Sequence, residues 1–294
     1  MGTLNQGYTH DPPQTMPETH QQLAETTIDG PRTRRWTIEA KDCGELAACR
    51  IARLGLDETR APYRRVRLRP DGSFFLDCTE GHGRILLDGR WQRLGAGAVC
   101  MAPPRVLNAF FAPTGVRWSF AWVRYDEPPW VNPLVGAGSP VRAASGAGEI
   151  ARIITGLRSE WEGARDAQMI HHWVSLLHAT TRRLAQPWRN DDRLGSLWTE
   201  VAASLAEKWT LPQLAKRVHM SPEHLRRTCL RELGRSPMQH LAYMRIQRAQ
   251  ELLEKTNDKL EAIAPEVGYE SALTFSRAFA RCVGLTPSQY RAHR

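Results

Sequence analysis

The chain has 294 residues, 41% of them apolar and 24% charged, a balance that fits two globular domains and excludes a disordered polymer. Its longest uninterrupted apolar stretch, around Ala96 to Ala102, is far too short to cross a bilayer, so no membrane partner is expected. Net charge is +9, and residues 209–294 hold 14 basic against 8 acidic side chains, the asymmetry of a chain whose C-terminal third meets a polyanion.

Residues 1–30 are rich in Gln, Thr, Pro and Gly and poor in large apolar side chains, so they read as a disordered tail. The first basic residue is Arg32; with no charged, apolar leader the protein is expected to be cytoplasmic. Residues 31–147 read as a β domain. Short runs at 66–69, 73–78, 84–87, 91–94, 98–101 and 116–125 are separated by turn residues, among them Asp88-Gly89, a type I′ hairpin signal. Hairpins of this length predict a small barrel or jelly roll. In the last run Val116, Trp118, Phe120 and Trp122 alternate with Arg117, Ser119 and Ala121, which sends the aromatics inward, either to fill the barrel or to line a cavity.

Residues 148–185 carry two helical stripes: Ile150, Ile153, Ile154, Leu157 and Trp161, then Ile170, Trp173, Leu177, Thr181 and Leu184. These pack on the barrel or pair with a second copy in a homodimer. Residues 186–194 combine proline with consecutive charges, as a linker does. The six cysteines have no C-x-x-C pairing, so they read as buried or idle thiols, and neither metal nor cofactor is expected. Of the adjacent His171 and His172, one is expected buried and the other solvated.

Residues 195–294 contain an internal repeat. At an offset of 50 residues Leu225 matches Phe275, Arg227 matches Arg277, Cys229 matches Phe279, Gly234 matches Gly284 and Pro237 matches Pro287. Each copy places a short helix with a small residue, Ala215 or Ala264, before a turn and a capped second helix opened by Ser221 or Ser271. That is the arrangement of a helix-turn-helix. Between the copies, 237–254 reads as one helix of roughly 27 Å, long enough to hold two recognition helices about one DNA turn apart.

Together Leu214-Ala215, Ser221-Pro222, Leu225, Gly234-Arg235-Ser236-Pro237, Arg245, Ala249, Ile263-Ala264, Gly268-Tyr269, Phe275-Ser276-Arg277, Phe279 and Gly284 to Arg291 resemble the AraC/XylS family of transcriptional regulators. The resemblance implies an α+β chain: an N-terminal cupin-like β-barrel and a C-terminal all-α domain with two helix-turn-helix units. It further implies double-stranded promoter DNA and RNA polymerase as partners. Base-reading positions fall by the resemblance on Glu223, Arg226 and Arg227 in the first unit, and on Leu273, Thr274 and Arg277 in the second. Leu273 is apolar where a polar reader is common, Pro265 interrupts a helix, and His240 stands where an aromatic such as Tyr290 usually sits.

The β region is similar, more loosely, to the family's sugar-sensing domain. By that similarity Arg69 and Trp122 are the sugar clamp, with Phe120 on the same face, and the small-molecule effector is a carbohydrate. Asn108 and Ala109 replace the polar pair expected after Pro103-Pro104, which points to a different ligand. The chain is therefore expected to be a ligand-responsive regulator with no catalytic residues. A cupin-type enzyme would need a His-x-His pair, which is missing, and the remaining alternative is a protein-binding module tethered to DNA.

Overall fold

The computed structural model describes residues 23–87, 90–128, 130–136, 139, 142–143, 148–186 and 192–292. The Asp88-Gly89 hairpin signal and most of the expected tail lie outside them. The N-terminal half is a curled antiparallel sheet and the C-terminal part is all helical, the α+β class expected.

The strands are β1 (Thr26–Ile28), β2 (Arg34–Glu39), β3 (Ile51–Thr59), β4 (Arg64–Arg67), β5 (Phe74–Leu87), β6 (Arg90–Gly95), β7 (Ala98–Ala102), β8 (Asn108–Phe111), β9 (Trp118–Tyr125) and β10 (Arg142–Ala143), with a short helix α1 (Gly44–Ala48) before β3. Along the main path they run β1-β4-β8-β5-β9-β3-β2, with β6 and β7 on β5 and β10 on β7. The expected strands at 73–78 and 84–87 are one 14-residue strand, β5. Its register against β9 shifts between Cys78 and Glu80, a bulge at Thr79, and nearby Gly81 takes φ 68° where a Cβ would lie 1.9 Å from the Arg117 carbonyl oxygen. The first half of β5 pairs with β7 and β9, the second with β6 and β8, so a single bent strand curls the sheet. Strands β1, β2, β3, β8 and β10 lie outside the expected runs, although β2 does alternate through Trp36 and Ile38.

Both faces of the curl are covered. Trp118, Phe120 and Trp122 point to the concave side with Tyr63, Phe74, Leu76 and Phe110. Ala121, Val123 and Tyr125 point to the convex side, beneath α2 (Glu149–Glu162) and α3 (Ala167–Ala185). The helical stripes Ile150, Ile153, Ile154 and Leu157, and Ile170, Leu177 and Leu184, are buried in that layer, so they pack on the sheet of their own chain. Truncating one, as in Ile154→Ala, costs about 2–5 kcal/mol. Buried Asp77 of β5 fastens the layers by accepting from the N–H groups of Gly148 (2.9 Å) and Ala151 (3.1 Å) at the start of α2. His171 and His172 are both exposed on α3, not one of each, because neither shares the face of Ile170 and Val174.

The C-terminal part comprises α4 (Asp192–Ala203), α5 (Leu211–Arg217), α6 (Pro222–Leu233), α7 (Pro237–Lys255), α8 (Leu260–Glu266), α9 (Ala272–Val283) and α10 (Pro287–Ala292). One core gathers α4, α5 and α6 on Leu241 and Met244 at the start of α7; a second gathers α8, α9 and α10 on Ile246, Ala249 and Leu253 further along it. Helix α7 is thus the shared spine, about 28 Å long. Pro265 does not interrupt α8 but lies within its last turn.

Candidate functional site: recognition helices and a cavity in the sheet

Each helix-turn-helix unit is built by local chemistry. Thr210 and Gln213 form a capping box on α5, and Ser221 caps α6 by accepting from the N–H of His224 at 3.2 Å. His219 takes the left-handed turn at φ 54° between them. In the second unit that position is Gly268, at φ 81°, where a Cβ would meet the Arg245 guanidinium at 2.7 Å. Arg245 in turn donates to the carbonyls of Leu205 (3.0 Å) and Glu207 (2.8 Å), tying α7 to the segment before α5. Ser271 caps α9 through the N–H of Thr274 at 3.2 Å.

These caps leave the first turns of α6 and α9 open to solvent, and all six expected base-reading residues are exposed there. Arg226 grips Glu223 through two hydrogen bonds of 2.9 and 3.0 Å, and the guanidinium holds the Glu223 carboxyl below the usual carboxylate range. Arg227 and Arg277 form no ion pair among the described residues. Leu273 is 61% exposed, although it is apolar, and the Thr274 hydroxyl shares a hydrogen bond of 3.0 Å with Ser271. An exposed leucine beside a free arginine at a helix start matches what a major groove offers: a thymine methyl, and guanine O6 and N7.

Residues 214–293 match the family model of a helix-turn-helix domain. The MmsAB operon regulatory protein of Pseudomonas aeruginosa is 27% identical over 244 residues, 78% of each chain. The C-terminal part of the chain is thus similar to the helix-turn-helix domains of AraC-type transcriptional regulators. A second relative, the transcriptional activator RhaR of an Enterobacter species, is 28% identical over 63% of this chain and 67% of its own length. Among solved structures, the C-terminal domain of AraT, a response regulator from Geobacillus stearothermophilus, is 32% identical, covering 36% of this chain and 88% of that one with a TM-score of 0.35. Among the described residues, no helix is long and apolar enough to cross a membrane.

The concave side of the sheet encloses a cavity of about 550 Å³, and Arg69, Phe120 and Trp122 all line it. Trp122 lies over β3 because Gly55 opposite it has no side chain: a Cβ there would strike the indole at 2.9 Å. Its Nε1–H donates to buried Asp57 at 2.8 Å, and Asp57 also accepts from Tyr63 (3.1 Å) and Arg35 (2.7 Å). Burial against that carboxylate pushes the Tyr63 phenol above its ordinary range. Trp118, on the same face as expected, fills the core and does not line the cavity, fully buried with its Nε1–H donating to Cys78 Sγ at 3.2 Å.

Arg69 reaches in two directions. It lines the cavity, while its Nη2 donates to Glu254 of α7 at 3.0 Å and its guanidinium lies 4.8 Å from the Tyr290 ring centroid. Arg105 also faces Glu254 at 3.3 Å, and Leu107 packs where a Cβ on Gly284 would stand, 2.3 Å away. The sequence did not disclose this contact between sheet and helices, since nothing local pairs residues 185 positions apart. It did carry a signal for the cavity's other arginines: Arg65, Arg67 and Arg69 alternate, and period two puts them on one face of a strand.

Proposed function

We propose that the chain is an effector-responsive regulator in which a small hydroxylated molecule, a carbohydrate or a relative of one, occupies the cavity and sets how the recognition helices meet promoter DNA. The observation that carries this reading is the double engagement of Arg69, which lines the cavity and holds Glu254 on the helix joining both helix-turn-helix units. A ligand that draws on the Arg69 guanidinium competes with Glu254, and releasing α7 changes the presentation of α6 and α9. Glu223, Arg226, Arg227, Leu273, Thr274 and Arg277 read bases; Arg69, Phe120 and Trp122 hold the effector. Residues 31–147 sense, 148–185 support the sheet, and 195–294 bind DNA; the expected linker 186–194 overlaps the start of α4, where Leu194 is already in the core of the helical part.

The reading extends to a cytoplasmic homodimer that contacts RNA polymerase. With the inner stripes buried, the pairing surface falls on the outer face of α3, where Met169 and Leu176 are exposed. The test is to sequence DNA that co-purifies with the intact chain and to measure its affinity with and without a panel of sugars. An affinity that changes with a sugar supports the reading; an affinity indifferent to every ligand that binds the cavity contradicts it.

A further inference from the structure

Six arginines line the cavity, and three of them are spoken for: Arg35 and Arg65 pair with Asp29, Arg35 also with Asp57, and Arg69 with Glu254. The other three, Arg53, Arg67 and Arg124, form no ion pair among the described residues. Arg53 and Arg124 are direct partners across the β3–β9 ladder, an arrangement that costs stability through like-charge repulsion. Arg67 reaches the same space from β4, its guanidinium 5.6 and 5.7 Å from the ring centroids of Phe74 and Phe110, with Nη1 buried and lacking any hydrogen-bond partner. Burial and the two neighbouring cations push the Arg67 guanidinium down to about 10.

The cavity's carboxylates offset these charges only at a distance: Glu39 pairs with Lys41 at 2.9 Å, Glu25 accepts from the N–H of Leu68 at 2.7 Å, and Asp71 and Glu25 act on Arg124 electrostatically, but among the described residues none forms an ion pair with Arg53, Arg67 or Arg124. A buried donor without a partner and three facing cations are costly unless a ligand supplies negative oxygen atoms. Guanidinium groups take both carboxylate and phosphate in a two-pronged grip.

We propose that the cavity binds a hydroxylated molecule carrying an acid group, a sugar acid or a sugar phosphate, with the anionic oxygens held by Arg53, Arg67 and Arg124 and the carbon body lying on Trp122. Arg124 is two residues along β9 from Trp122, roughly 7 Å, so the acid group sits one end of a six-carbon chain away from the indole. The inference rests on the effector reading above and narrows its ligand from neutral sugars to anions.

The test compares glucose, gluconate and glucose 6-phosphate on the intact chain at matched ionic strength, following thermal unfolding of the sheet and tryptophan fluorescence. At about ten times its Kd, gluconate or glucose 6-phosphate is expected to raise the unfolding temperature by roughly 4 °C. Which of the two acts tells carboxylate from phosphate. Glucose is expected to do nothing, and Arg67→Gln is expected to abolish the shift. Arg124→Gln, at a less buried position than Arg67, serves if Arg67→Gln does not fold. Failure of both acids on the wild-type chain, or an equal shift by glucose that survives either substitution, overturns the proposal; the second result leaves a sensor for neutral sugars intact. Acid binding that leaves operator affinity unchanged keeps the anion site and removes the effector reading.

Discussion

Glu254 Oε1 lies 3.0 Å from Arg69 Nη2, so one carboxylate on the spine of the DNA-binding region holds one arginine of the cavity. The same oxygen accepts from the Tyr290 hydroxyl at 2.7 Å, which joins α10 to the cluster. Replacing it with alanine is expected to uncouple the two halves while leaving each folded. The effector-dependent change in operator affinity, about 5–150-fold in coupled systems, is expected to fall below twofold in Glu254→Ala. Fluorescence anisotropy on operator DNA with and without effector measures this.

Trp122→Phe keeps an aromatic ring in the cavity but removes the N–H that Asp57 accepts. Loss of one donor to a buried carboxylate is expected to cost about 1–3 kcal/mol of stability, read by denaturant unfolding of the intact chain. Trp122→Ala is expected to cost more, about 3–5 kcal/mol, and to abolish the ligand-induced fluorescence change. An Ala variant that binds ligand normally shows that the indole does not touch it.

The helical third of the chain was legible because its signals are local. Ser221 and Ser271 before their helices, Gly268 at the turn and the 50-residue repeat each act within a few residues, and the structure places them as their chemistry requires. The sheet was legible only in part, and alternation did not decide which strands stood out: β2 alternates through Trp36 and Ile38 but lay outside the expected runs. On β9 the Trp118, Phe120 and Trp122 face stood out, but Ala121 and Val123 beneath α2 also lie in a core, and a strand buried on both faces loses its period. The residues between the expected runs 73–78 and 84–87 do not end a strand but continue it, through a bulge at Thr79 and a left-handed Gly81. Long-range charge partners such as Arg69 and Glu254 leave no mark in either segment.

His240 fills the position that Tyr290 holds in the second repeat. It is fully buried, its ring 4.4 Å from that of Trp198, and neither ring nitrogen has a hydrogen-bond partner. Burial, with Arg235 nearby, holds its protonation far below the ordinary value of 6.5. The folded protein therefore keeps the imidazole neutral while the unfolded chain takes up a proton below pH 6.5. Stability is full above that pH and is expected to fall by about 1.4 kcal/mol per pH unit below it. Urea unfolding at pH 7.5 and 5.5 is expected to show a smaller drop in His240→Phe than in the wild type.

Arg227 on α6 and Leu273 on α9 are both exposed and bring unequal chemistry to the two recognition helices. Arg227→Ala is expected to cost about 1–3 kcal/mol on operator DNA, to cost far less on random DNA, and to relax choice at one base pair. Leu273→Ala is expected to be mild and confined to a thymine position. Equal losses on operator and random DNA would make Arg227 a phosphate anchor.

Both recognition helices pack on α7, whose length of about 28 Å is compatible with their meeting two adjacent major-groove segments. The most direct measurement is selection of DNA from a randomised library by the intact chain at fixed salt, followed by sequencing. Two enriched blocks with centres about 10 base pairs apart are the expected result, the block read by α6 the more stringent. A single enriched block, or binding with no sequence preference, would contradict a chain that reads two adjacent major-groove segments.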